Sequence, residues 1–430
     1  MSQDTDTVDF YGKRFGATWC VLPWIHAASL TDGSTQLCCV AEGVSDVNLN
    51  SKTFDDYWKS DYVKDARRRM LAEKKVGPCR RCYEEEGNGY RSHRVMENKN
   101  WHVMLGTERI NEIVAATAKD GSLESEIIAI DLRLGNTCNL QCIMCQPRES
   151  SKWVALAGKI QESVNDWSLK TEWKFKKDIN VANYEWYKNT KFWDSLKTTL
   201  PHLREIIIAG GEPMIIRQHL NFLKECALEY DVSHINLRYH TNLIEFPEDM
   251  IPHWEKFKKV EFFASIDGMH DVANYIRYPS EWEKIEKNLQ IIDKMPSHMW
   301  LYFLYSVQAL NIGQLPDFIR WVRTRGFAKE KMHMRSQMFI HPGLIHWPKY
   351  LNPKILPKKM KAEITEKFAI LKAERDEDFD KFDGIVSFMN SEDWSSKLSL
   401  FSDYLAALDK TRGTDRYKVF PEIMESLDGI

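Results

Sequence analysis

Six short runs rich in β-branched and aromatic residues recur along the middle of the chain, each separated from the next by helical patterning. The runs are IIAIDLRL (127–134), REIIIAGG (204–211), INLRYHTN (235–242), VEFFASIDG (260–268), WLYFLYSV (300–307) and KMHMRSQMFI (331–340). Between them lie stretches such as QHLNFLKECALEY and EWEKIEKNLQIIDKM, with apolar residues at helical spacing. Strands alternating with helices imply a parallel sheet joined by crossover helices. Six such strand–helix pairs form an open, incomplete barrel, the partial (β/α)6 version of a TIM-type α/β fold. Chemistry in such a barrel collects at the C-terminal ends of the strands.

The flanks have a different rhythm. Residues 1–105 hold five cysteines and read as a small α+β domain, in which VLPWIHAASL and STQLCCV flank Thr31-Asp32-Gly33 as a hairpin with Asp-Gly in the turn. A helix is expected from about Phe54 to Glu73 and a second from about Cys79. Residues 106–126 read as a linker, 127–345 as the barrel and 346–430 as a charged, helical C-terminal region.

With 430 residues, 43% of them hydrophobic and 28% charged, the chain is long enough for two or three domains with a sizeable core. A formal net charge of −3 supplies no general attraction for nucleic acid or an anionic membrane. No apolar run approaches the roughly 18 residues that span a bilayer. The polar first residues, MSQDTDTVDFYGKRFG, show no signal or transit peptide. Nine cysteines without a secretory signal point to metal or redox chemistry in the cytoplasm rather than to disulfides.

Directly after the first barrel strand, NTCNLQCIMCQP places Cys138, Cys142 and Cys145 in a C-x3-C-x2-C spacing with no fourth cysteine. A structural zinc site is closed by a fourth ligand, and an ordinary ferredoxin cluster takes four cysteines. Three thiolates can instead hold three irons of a [4Fe–4S] cluster and leave the fourth iron for an exchangeable ligand. Here the sequence resembles the radical S-adenosylmethionine (SAM) enzymes, whose hallmark is this spacing.

The resemblance extends over about residues 127–315. Gly210-Gly211-Glu212-Pro213 resembles the stretch that holds the SAM amino group in that family; the plain alternative is a strand-terminating turn. Thr241-Asn242 and Ser265-Ile266-Asp267-Gly268 resemble the contacts to the SAM ribose and carboxylate. Arg277 stands where it could pair with that carboxylate, or else form a surface salt bridge. Val307 and Asn311 resemble adenine-side residues and Met144 one that packs near the purine, with core packing the alternative for Val307 and Met144. The family's chemistry is reductive cleavage of SAM to methionine and a 5′-deoxyadenosyl radical, which takes hydrogen from a substrate.

In the N-terminal region, Cys20, Gly33 and Cys38 form a C-x12-G-x4-C pattern that resembles the twitch domain, the shortened SPASM domain carrying an auxiliary cluster. Cys79 and Cys82 in PCRRC, at a helix start with Arg80 and Arg81 beside them, would complete four ligands for an auxiliary [4Fe–4S] cluster. The family's twitch domain normally follows the barrel, whereas this one precedes it. A structural zinc ribbon suits the same cysteines. Cys39 is left over as an alternative ligand, a hydrogen donor to a substrate radical, or a packed side chain. Alternation along a strand puts it on the face opposite Cys38 and favours packing. Cys226 reads as a core residue of an amphipathic helix.

Three further features have two readings each. His333, His341 and His346 cluster near the last strand and read as substrate contacts or polar packing, with a metal site the alternative. His240 is expected close to SAM. The lysines and aromatics of 167–193 could face nucleic acid or form a helical cover, and the overall charge favours the cover. The acidic run 374–380 reads as a solvated face.

The resemblance implies an enzyme acting on a peptide or protein side chain, with net oxidation assisted by the auxiliary cluster and electrons supplied by a flavodoxin or ferredoxin. A sugar or nucleotide substrate is the enzymatic alternative. The alternative of another class is a non-catalytic, zinc-stapled binding protein.

Overall fold

Asp32 and Gly33 make the hairpin turn for a local reason. Gly33 adopts φ 79°, a left-handed value that suits glycine, and the Asp32 carboxylate accepts the Ser34 N–H at 3.0 Å. The turn joins β1 (His26–Ser29) to β2 (Thr35–Gln36), which pair antiparallel as the sequence suggests. The computed structural model describes residues 14–87, 90–163, 181–329, 339–374 and 380–428. The chain divides into two compact units: Met1–Asn136, Asn180–Tyr239 and Asp249–Val260 form the first, and Thr137–Ile179, His240–Glu248 and Glu261–Ile430 the second.

In the first unit the strand order is β2-β1-β3-β4-β5, with β3 at Ala129–Leu134, β4 at Glu205–Gly210 and β5 at Asn236–Thr241, its last two residues belonging to the second unit. β3 to β5 are parallel and in the expected places, and helices such as Thr190–Thr199 and Arg217–Glu229 make the crossovers. One result differs from the sequence reading. β1 pairs parallel with β3, His26 opposite Ala129 and Ala28 opposite Asp131, so the N-terminal hairpin extends this sheet. Each strand has two distinct faces. Ile130, Leu132, Ile206, Ile208, Leu237 and Tyr239 are buried in apolar packing. On the other face Asp131 pairs with Arg133 at 2.9 Å and Glu205 with Arg238 at 3.1 Å.

Two helices, Phe54–Trp58 and Asp61–Leu71, replace the single helix expected over this stretch. Ser60, at φ −69° and ψ 152°, is extended and separates the two, its hydroxyl donating back to Tyr57 O at 2.7 Å. The helix expected near Cys79 runs from Arg80 to Gly87. The next, His93–Ala115, carries a non-helical Gly106 and crosses the sequence boundary placed after residue 105.

In the second unit the order continues from the end of β5 to β6 (Lys259–Ser265, its first two residues in the first unit), β7 (Met299–Val307) and β8 (Ile340–Leu344). The described last strand starts at Ile340, the final residue of the run read at 331–340, and contains Pro342 and Gly343. Residues 331–338 lie outside the described residues. Proline is tolerated here because β8 closes the order as an edge strand. Phe263 stacks on Tyr302 at 4.6 Å and on His240 at 5.2 Å across these strands. The C-terminal region is helical as read, with Lys358–Glu374, Asp380–Asn390 and Leu398–Arg412 the longest segments. Among the described residues no helix is long and apolar enough to cross a membrane.

Candidate active site

The loop that carries Cys138, Cys142 and Cys145 has no regular secondary structure, so its backbone polar groups need other partners. Four consecutive carbonyls each receive one side chain. Ser150 Oγ donates to Leu140 O at 2.6 Å, Arg412 Nη2 to Gln141 O, Trp153 Nε1 to Cys142 O at 2.9 Å, and Tyr404 OH to Ile143 O at 2.6 Å. The amides are held as well: Ile143 N–H donates to Ile276 O at 2.9 Å and Gln141 N–H to Tyr278 O at 2.5 Å. Asn242 Nδ2 reaches Asn139 Oδ1 at 2.8 Å, tying the end of β5 to the same loop. The loop is therefore braced from several elements of its unit.

Arg277 faces this loop. Its Nη1 lies 3.7 Å from Cys142 Sγ and its Nη2 2.7 Å from Asp267 Oδ2. Asp267 is 0% exposed and also accepts the Ser306 N–H at 2.6 Å. The sequence reading offers Arg277 to a bound carboxylate or a surface salt bridge; in the structure it pairs with the interior carboxylate of Asp267. Asn311, 0% exposed, donates to Asp267 O at 2.9 Å and Ser306 O at 3.0 Å, while its Oδ1 accepts the Gln308 N–H at 2.8 Å. Val307 is fully buried, and Met144, Ser265, Cys138 and Cys145 are half-buried. Thr241 Oγ1 accepts the Leu243 N–H at 3.1 Å.

A hydrogen bond from the Cys145 thiol pulls the Cys142 thiol below its ordinary pKa, against burial and with help from Arg277 and Arg412. The same bond and burial push Cys145 well up. Arg277 Nε and Arg412 Nε and Nη1 are buried N–H groups without a hydrogen-bond partner among the described residues. Orphaned cationic donors near Cys142 are what a bound anionic group would satisfy. The residues present fit an iron–sulfur cluster held by Cys138, Cys142 and Cys145.

Gly210 to Pro213 belong to the first unit. Gly210 has φ 126°, and a Cβ there would stand 2.6 Å from Leu134 N. Gly211 N–H donates to Gly135 O at 3.0 Å. Glu212, 1% exposed, accepts the Met214 N–H at 3.1 Å and caps the short turn begun by Pro213. These contacts give the two glycines and the glutamate local structural work.

In the N-terminal region Cys20, Cys38, Cys79 and Cys82 line one small cavity with His93 and Arg94. Burial raises all four thiols, Cys79 to about 12, and their mutual charges add to the rise at Cys20, Cys38 and Cys79. The cation at this cavity is Arg94, which donates to the carbonyls of Ala17 and Trp19 at 2.8 Å and pairs with Glu86. Arg80 and Arg81, expected to supply positive charge here, are exposed and paired with Glu42 and Glu85. Cys39 departs from the expected packing. The strand stops at Gln36, so alternation does not extend to it, and its exposed thiol lies 3.7 Å from His93 Nε2. Cys226 is fully buried in its helix. Among the described residues no three His, Cys, Asp or Glu side chains gather closely enough for a single metal ion.

His341 packs edge-on against Phe263 and Tyr302 and His346 against Phe388, while His333 lies outside the described residues. Of the lysine- and aromatic-rich stretch, 167–180 lie outside them, and Trp186, Tyr187, Phe192 and Trp193 are buried. Most of the acidic run 374–380 also lies outside. Sequence reasoning missed Trp153, Tyr404, Arg412 and Arg94. The first carries a faint signal, a tryptophan eight residues after the last cysteine of the motif; the others carry none.

No family profile and no curated protein matches the sequence. Among solved structures, the chain is similar to anSMEcpe with bound AdoMet, at 14% identity and a TM-score of 0.34 over 60% of this chain. That match covers 62% of the anSMEcpe chain, less than two thirds of its length. It is also similar to SuiB from Streptococcus suis bound to S-adenosylmethionine, at 11% identity and a TM-score of 0.30, over 66% of this chain and 68% of that one. TYW1 with a lysine-pyruvate adduct matches at 13% identity and a TM-score of 0.26, over 58% and 72% of the two chains. These solved structures are of radical SAM enzymes.

Proposed function

We propose that this chain is a radical SAM enzyme whose Cys138, Cys142 and Cys145 hold three irons of a [4Fe–4S] cluster. The observation that carries the reading is the braced loop: three thiols on one backbone fixed at four successive carbonyls, with orphaned arginine N–H groups near Cys142. The bound cluster and SAM would supply the electron and the hydrogen-abstracting radical. The protein's part is to hold the thiolates, keep Arg277 against Cys142 through Asp267, and exclude water from the loop. On the resemblance, Met144, Thr241, Asn242, Ser265, Asp267, Arg277, Val307 and Asn311 are the proposed SAM-side residues of the second unit, and Gly210, Gly211, Glu212 and Pro213 those of the first. Glu212 and Asn311 would act there by shaping the backbone, given the internal bonds they already make.

Cys20, Cys38, Cys79 and Cys82 form the proposed auxiliary [4Fe–4S] site. The four thiols line one cavity, which supports their holding one metal group together. On the resemblance to twitch domains, the substrate class is a peptide or protein side chain, with oxidation the reaction and a cytoplasmic flavodoxin or ferredoxin the electron donor.

Anaerobic reconstitution with iron and sulfide tests the reading. Added S-adenosylmethionine should change the spectrum of the reduced protein, and a strong reductant should then release methionine and 5′-deoxyadenosine. Replacing Cys138, Cys142 and Cys145 together by alanine should leave about four irons per chain, those of the auxiliary site. Zinc in both sites and no spectral response to S-adenosylmethionine would sink it.

A further inference from the structure

Two of the four side chains that grip the cysteine loop, Tyr404 and Arg412, come from the one helix Leu398–Arg412, more than 250 residues away in sequence. Arg412 is 8% exposed. Its guanidinium lies 5.4 Å over the Trp153 ring and 5.3 Å over Tyr278, which fixes its plane between two aromatic faces. Among the described residues it has no carboxylate partner. Asp409, one turn earlier on the same helix, is taken by Tyr275 OH at 3.0 Å, Thr414 Oγ1 at 2.7 Å and Arg416 Nη1 at 3.0 Å. A buried guanidinium without a counter-charge is costly unless an anion meets it.

The charge balance around Cys142 singles this residue out. Arg277 is offset by the fully buried Asp267, so that pair brings no net charge. Tyr404, Tyr275, Tyr278 and Cys142 interact electrostatically with Arg412, and of these four the cysteine becomes an anion when it binds metal. We propose that Arg412 is the electrostatic positioning residue of the three-cysteine site. It supplies the uncompensated positive charge that favours the more negative, reduced state of the bound group, and it makes the C-terminal helix part of that site. The inference rests on the reading of the loop as a cluster site.

The full chain is reconstituted anaerobically as wild type, Arg412→Gln, Arg412→Lys and Tyr404→Phe. Iron is counted, and the signal that responds to S-adenosylmethionine is titrated against applied potential. Glutamine keeps a donor for Gln141 O but removes the charge. R412Q should bind iron as wild type does, yet be about tenfold more oxidised at a given potential, a midpoint lower by about 59 mV for a one-electron couple. R412K and Y404F should titrate within threefold of wild type. An R412Q protein with full iron and an unshifted titration overturns the role of Arg412. Should R412Q fail to fold, R412K decides: an unshifted titration supports the charge assignment, and a tenfold shift overturns it. A wild-type protein that takes up no iron overturns the reading of the loop itself, a separate outcome.

Discussion

At Gly210 the backbone takes φ 126° so that β4 can end against β3, and any side chain there would meet Leu134 N at 2.6 Å. Gly210→Ala should therefore cost about 2 kcal/mol of stability, through strain at a disfavoured φ and a contact with backbone that cannot yield. Urea unfolding checks this: the midpoint should fall with an unchanged slope. Asp267 makes the complementary case for charge. It is 0% exposed and holds Arg277 at 2.7 Å, so Asp267→Asn leaves a buried cation unpaired and should cost about 3 to 5 kcal/mol. Both residues were visible in the sequence as members of a motif. Their internal partners were not, because a motif records which residue stands at a strand end and not which atom across the unit it meets. Cys39 shows the same limit from the other side. Its expected packing followed from strand alternation, and alternation ends where the strand does, at Gln36.

The element that governs the cysteine loop is the helix Ser151–Ser163, entered two residues after Glu149 and placed by hydrogen bonds that its own first turn makes back to the loop. Ser150 Oγ, Ser151 Oγ and Trp153 Nε1 all bond to loop backbone. Trp153→Phe keeps most of the apolar packing and removes only the 2.9 Å bond to Cys142 O, so it should cost about 1 kcal/mol. The metal-free variant should also react faster at Cys142 with a thiol-modifying reagent, measured as the labelling rate of that one buried cysteine. Equal rates would mean that the remaining three carbonyl contacts hold the loop alone. Strands such as Met299–Val307 were legible almost to the residue, since alternation of buried Phe303, Tyr305 and Val307 with half-buried neighbours is written in the sequence. The last strand was not, because Pro342 and Gly343 carry no strand signal and an edge position alone permits them.

For the molecule as a whole, composition and a net charge of −3 fixed little beyond a large globular chain, and its response to acid is set by a few buried groups instead. Two histidines are held neutral by burial. His219, on the helix Arg217–Glu229 with its ring 5.9 Å from that of Tyr239, is pushed down to about 3, and His26 on β1 is lowered as well. The sign follows from which state binds the proton. Between the ordinary histidine value near 6.5 and the depressed folded value, the unfolded chain takes up a proton that the folded chain refuses. Stability is therefore complete above about pH 6.5 and falls on acidification by up to about 1.4 kcal/mol per pH unit for His219, levelling only near pH 3. Replacing His219 by glutamine removes this proton from the balance. The variant should be less stable at pH 7, because the ring's packing is lost, yet should lose less stability than wild type between pH 6.5 and pH 5. Urea unfolding at pH 7, 6 and 5 measures both effects, and parallel curves for the two proteins would show that His219 is solvated well enough to titrate normally.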